Sequence, residues 1–139
     1  MSTTLPVITE LDAARIRELG SRMPDDGRNL TALGALLELV TSEADIVPRE
    51  RIAADVVTVN STVSFRERDG GTTHRVTVVY PQDVSLQERR ISLLSPVGRA
   101  LLGRRVGDFA SIDMPDGTTR EIRVVEMHYQ PEASGHHDR

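Results

Sequence analysis

Cysteine, lysine and tryptophan are absent from the 139 residues. Without cysteine there are no disulfide staples, thiolate metal sites or thiol nucleophiles. Without lysine there is no Schiff-base chemistry and no P-loop lysine. Aromatic residues are limited to Phe65, Tyr80, Phe109 and Tyr129, too few for the stacking platforms of single-strand nucleic-acid binders. All 17 basic residues are arginine and the formal net charge is -4, which argues against a net basic face for DNA or RNA. No apolar run approaches the roughly 20 residues a bilayer span needs. The N-terminus lacks the basic segment and apolar stretch of a signal peptide. These absences leave a cytoplasmic protein with no membrane partner as the expectation, and the arginine-studded, mildly acidic surface suits a protein partner.

What is present is the balance of a globular chain, 38% hydrophobic and 27% charged. The length suits one ordinary domain or a small domain with an appendage. Thr9 stands before Glu10 and Asp12, with apolar Leu11, Ala14, Ile16 and Leu19 following, so a helix is expected from about 9 to 22. Met23-Pro24-Asp25-Asp26-Gly27 has the chemistry of a turn. Leu30, Leu33, Leu36, Leu37 and Val40 then recur at helical spacing to about residue 44. Two helices joined by a short polar turn make an antiparallel hairpin, a short coiled coil, over residues 1–47. A helix of about 15 residues gives an arm roughly 22 Å long.

From Pro48 the period changes from helical toward two. Val56–Val59, Val63–Arg66, Val76–Tyr80, Arg90–Leu94, Gly107–Ile112 and Glu121–His128 read as strands. Asp69-Gly70-Gly71 and Asp116-Gly117 read as turns between them. Ser95-Pro96 through Gly103 reads as a short helix with a capping serine, a proline in the first helical position and a closing glycine. The second unit, residues 48–139, is thus an antiparallel sheet wrapped on a short helix, α+β in class, with a disordered tail from about residue 133.

The chemistry-bearing residues are few. His136 and His137 are adjacent in the tail, a poor metal geometry, and His74 and His128 fall inside strands as structural histidines. No Ser-His-Asp set can be assembled from spacing. Asp25 and Asp26 could share a Mg²⁺ with another active site, or simply serve a turn. The Ser95-Pro96 corner is either part of a docking face or only a well-formed helix start. No cofactor and no metal are expected.

Ile91 through Asp108, with its Ser95-Pro96 step, Ala100-Leu101-Leu102-Gly103 and Val106-Gly107-Asp108, resembles the C-terminal domain of the Gre transcript factors. Asp55–Ser61 and Tyr129-Gln130-Pro131-Glu132 resemble the branch of that family formed by the regulator of nucleoside diphosphate kinase. The resemblance implies an FKBP-like domain that docks at the secondary channel of bacterial RNA polymerase. It maps the docking corner onto Leu94, Ser95 and Pro96, with Arg99 beside them, and Leu94 stands where Gre factors tend to have Asn or Asp. The short arm implies a non-catalytic regulator competing with longer factors, and a monomer is expected. The alternatives are a transcript-cleavage factor using Asp25 and Asp26 with Mg²⁺, and a peptidyl-prolyl isomerase.

Overall fold

A computed structural model describes residues 5–22, 30–67, 70–114 and 116–135. Asp25 and Asp26, Asp69, and His136 and His137 lie outside them. A short strand, β1 (Val7–Thr9), leads into helix α1 (Glu10–Arg22). Thr9 caps it as expected, its Oγ1 accepting the Asp12 N–H at 3.0 Å. Helix α2 (Leu30–Glu38) runs into a wider π-helical turn, Leu39–Glu43, and then strand β2 (Asp45–Val47). β1 and β2 pair in parallel, Ile8 opposite Ile46. The pair thus closes the base of an excursion whose described residues include α1 and α2. α1 and α2 meet where Gly20 faces the Leu37 side chain.

Strands β3 (Thr62–Glu67), β4 (His74–Val79), β5 (Arg90–Ser92), β6 (Phe109–Asp113) and β7 (Thr119–Tyr129) form one sheet in the order β5-β4-β3-β7-β6. Helix α3 (Pro96–Leu101) contacts both edge strands, β5 and β6, so the sheet curls around it. Register shifts in the β3–β7 pairing add to that curl. The class, α+β, is as expected, but the sheet is not antiparallel throughout: β5 runs parallel to β4. The reason lies in the connection. Pro81–Asp83 forms a 3-10 turn, and Ser85 and Arg90 then exchange backbone hydrogen bonds that reverse the chain a second time.

A second correction concerns Val56–Val59, expected as a strand. Only Val56 makes a bridge, to Arg105. Val57 instead pairs with the loop after α3, donating to the Arg104 carbonyl and accepting from Gly103 N–H. A turn closed from Ser61 N–H to Thr58 C=O, with Asn60 at φ 74°, then ends the extended run. The β-branched residues in this segment report burial on both sides: Val56, Val57 and Val59 are all in the core. Of the tail expected from about residue 133, the described residues 134 and 135 are bonded, Ser134 N–H to the Gln130 carbonyl and Gly135 N–H to the Glu132 carbonyl.

One apolar cluster joins both parts of the molecule. Ile8, Ala13, Ile16, Leu36 and Val40 from the N-terminal segment pack in the same core as Val57, Val78, Leu93, Leu101 and Val124. At about 1.5–3 kcal/mol for each fully buried large side chain, this seam holds the arm's base firmly to the sheet. Among the described residues, no helix is long and apolar enough to cross a membrane.

Candidate functional site

The Ser95–Pro96 corner is built by hydrogen bonds within a few residues of chain. Ser95 Oγ donates to the Ser92 carbonyl at 2.6 Å and accepts the Gly98 N–H at 3.1 Å. Leu94 N–H donates to Ser92 Oγ at 2.9 Å. Pro96, at the first helical position, has no N–H to leave unpaired. Leu93 N–H donates to the Val79 carbonyl, tying the corner to β4. Gly98 lets the helix start lie on this turn, since a Cβ there would fall 2.1 Å from the Ser92 carbonyl oxygen.

The predicted corner residues do not all face outward. Ser95, Pro96 and Arg99 are partly exposed, whereas Leu94 is 7% exposed and belongs to the core. Leu94 therefore supports the corner from beneath, which accounts for an apolar residue at this position. Pro96 and Arg99 wall a cleft of about 270 Å³ whose other side is Leu36 and Leu39 of the arm, with Arg104 and Asp113 also lining it. A second, mainly apolar cleft of about 260 Å³ lies on the Val97 side of α3, lined by Phe65, His74, Val76, Ile91 and Met114. The corner thus has a pocket on each flank.

The two segments that resembled one branch of the family are brought together by the fold. Gln130 Nε2 donates to the carbonyls of Ala53 and Val56, both at 2.8 Å. Thr58 Oγ1 donates to Glu132 Oε1 at 2.8 Å, and Ser61 Oγ bonds Thr58 Oγ1 at the same distance. Next to this node sits a residue that sequence reasoning missed. Asp12 is 2% exposed; its Oδ2 accepts Val59 N–H and its Oδ1 accepts Tyr80 O–H, both at 3.1 Å. Burial pushes its carboxyl up to about 6, and the same burial, with Asp12 alongside, pushes the Tyr80 hydroxyl well above its ordinary value. Asp12 looked like an ordinary first-turn acid. The available signal was its spacing, four residues before Ile16, on the buried stripe of α1.

His74 is exposed and its ring lies 5.4 Å from that of Phe65. His128 Nε2 is 2.6 Å from Ser64 Oγ, and its Nδ1 is 3.8 Å from Glu126. Strand register, which spacing does not reveal, brings this trio together: Ser64 pairs with Glu126 across β3 and β7. Ser64 is buried and Glu126 largely exposed, the geometry of a cross-strand bond on a sheet face. Among the described residues, no three His, Asp or Glu side chains gather as metal ligands would.

A curled sheet on a short Ser-Pro helix, with a helical segment packed at its side, is the arrangement on which the comparisons converge. The model of the C-terminal region of the transcription elongation factors GreA and GreB matches residues 52–129, and the chain belongs to this family. Within it, the chain is similar over nearly its whole length to the regulator of nucleoside diphosphate kinase of Escherichia coli (strain K12): 38% identity over 136 residues, 97% of each protein. Similarity to the transcription elongation factor GreA of Thermotoga neapolitana is 35% over 91 residues, 66% of this chain and 57% of that one. A solved structure described as a prokaryotic transcription elongation factor GreA/GreB from Nitrosomonas europaea superposes with a TM-score of 0.70. It is 35% identical and covers 91% of this chain and 100% of its own. The protein is a regulator of the transcription-factor type.

Proposed function

We propose that the protein binds bacterial RNA polymerase at its secondary channel, as a monomer and without catalysing a reaction, and competes there with longer Gre-type factors. Residues 48–139 form the docking unit, with an FKBP-like fold, and residues 1–47 form a helical hairpin that points into the channel. Ser95, Pro96 and Arg99 make the contact, and buried Leu94 sets their position. The observation that carries this reading is the placement of corner and arm side by side. Pro96 and Arg99 share one cleft with Leu36 of α2 and Leu39 of the π-helical turn after it, so a partner that grips the corner also meets the arm.

The arm's dimensions favour occupancy over catalysis. α1 has 13 residues, about 20 Å at the usual helical rise. Its Ala13 and Ile16 are buried in the core, which leaves only the far half free to project. The test is an interferometry titration against core RNA polymerase with GreA as competitor. Saturable binding that GreA displaces is the expected result, with Pro96→Ala and Arg99→Glu each weakening it. Absence of binding at tens of micromolar, from a chain whose circular dichroism is intact, would show that the fold serves another partner.

A further inference from the structure

A cleft of about 500 Å³, sharing no residue with those flanking α3, lies between α1 and the sheet. This is within the usual volume of small-molecule sites. Its floor follows from strand register. Arg90 of β5 pairs with Thr77 of β4, Thr77 with Thr62 of β3, and Thr62 with Tyr129 of β7. Directly paired residues project from the same face of a sheet, and all four line the cleft. The two threonine hydroxyls are 2.7 Å apart at its centre. Asn60, held at φ 74° by a bond from its N–H to the Val78 carbonyl, adds an amide. Arg15 enters from α1 and completes the opposite wall.

The lining chooses the ligand. Two guanidinium groups stand on different walls, with hydroxyl and amide donors between them and one exposed carboxylate, Asp83, among the lining residues. Arginine forks match phosphate oxygens in pairs. A group with negative charge at two neighbouring centres offers each guanidinium its own set of oxygens. Arg90 makes a half-exposed pairing with Glu88 at 3.3 Å, an interaction cheap to replace. Arg15 lies near Asp12 and Tyr80 and favours ionisation of both.

We propose that this cleft binds a small molecule through a diphosphate group, clamped between Arg15 of α1 and Arg90 of β5 above the Thr62–Thr77 hydroxyl pair. Because one clamp residue belongs to the arm and the other to the sheet, the ligand fixes the arm against the domain. Tyr129, also in the lining, is an aromatic residue suited in kind to an organic moiety attached to the diphosphate.

The experiment is isothermal titration of the full chain at low ionic strength with inorganic pyrophosphate, orthophosphate and a nucleoside diphosphate as separate probes. Pyrophosphate should bind one to one and more tightly than orthophosphate. Arg15→Gln and Arg90→Gln should each weaken it on the order of tenfold, the loss of a charge-assisted contact. Arg66→Gln, exposed on β3 and outside the cleft, should leave it unchanged. Amide shifts of Thr62 and Thr77 in the unsubstituted protein give a readout that needs no variant. A nucleoside diphosphate tighter than pyrophosphate would support the site and add the Tyr129 contact. No saturable binding at millimolar pyrophosphate, or equal weakening by Arg66→Gln, would overturn the proposal.

Discussion

Asp12 shows how one side chain sets a condition on the whole fold. Desolvation by burial raises its carboxyl to about 6 and the nearby Glu132 charge adds to the rise, against bonds from Val59 N–H and Tyr80 O–H and the nearby Arg15. In the unfolded chain the same carboxyl titrates near its ordinary value of 3.8. The folded state therefore holds the proton more tightly. The resulting stabilisation is complete below the unfolded value and is lost as pH rises through the folded one. Stability from this group should fall between about pH 4 and pH 6, by up to roughly 3 kcal/mol. Denaturant melts across that range check it, and Asp12→Asn should remove the drop, the remaining carboxylates cancelling in the difference. Two glycines give a sharper residue-level contrast under one substitution. At Gly98 a Cβ would meet the Ser92 carbonyl oxygen and the Leu93 Cα, both backbone atoms, whereas at exposed Gly34 in α2 it meets nothing. Gly98→Ala should cost about 3 kcal/mol or more, while Gly34→Ala should stabilise by about 0.5–1 kcal/mol. Paired thermal melts would expose any failure of that opposition.

At the scale of elements, what can be read from sequence is what is locally determined. Helix α3 was legible because Ser95, Pro96 and Gly103 each act on backbone groups within a turn of themselves. Strands β3, β4, β6 and β7 were legible because their alternation is independent of which partner they meet. β1 and β2 were not, since three-residue strands exist here only by pairing Val7–Thr9 with Asp45–Val47 across the whole arm. Strand direction was equally hidden, and β5 was placed without its parallel sense. The Ser95–Pro96 corner was readable as a helix start, but its division into partly exposed Pro96 and buried Leu94 required the sheet beneath it. Gln130 belongs with the illegible class. It was noticed only through a resemblance, yet its amide joins the last turn to the segment before β3 through two carbonyls. Gln130→Ala leaves the Val56 and Ala53 carbonyls without that donor and frees Ala133 N–H from Gln130 Oε1. A loss of roughly 2–4 kcal/mol is expected, measured as a lower urea midpoint at unchanged slope. A change of less than about 0.5 kcal/mol would mean that water replaces the amide without cost.

Across the whole molecule, the relation between anchor and arm determines what binding can accomplish. The parallel β1–β2 pair, Val7 beside Asp45 and Thr9 beside Val47, ties the two ends of the excursion together, so its reach is limited by the residues between those strands. Ala13 and Ile16 of α1, Leu36 of α2 and Val40 of the π-helical turn after it then pull the lower part of the arm into the domain core. Lengthening such an arm by one helical turn adds only about 5.4 Å, and each turn buried in the core removes that much. Under the proposed function, an arm this short obstructs a channel without delivering the Asp25 and Asp26 carboxylates to its far end. Added to stalled elongation complexes, the protein should leave transcript lengths unchanged and reduce the cleavage stimulated by a longer Gre factor in proportion to its own occupancy. Asp25→Ala combined with Asp26→Ala should preserve that inhibition, because the anchoring surface and the arm's buried half are untouched. Gel analysis of labelled transcripts reads both effects at once. Shortened transcripts that appear with the natural chain and vanish with the double variant would instead assign the tip acids a catalytic part, and the arm would have to reach farther than its buried base allows.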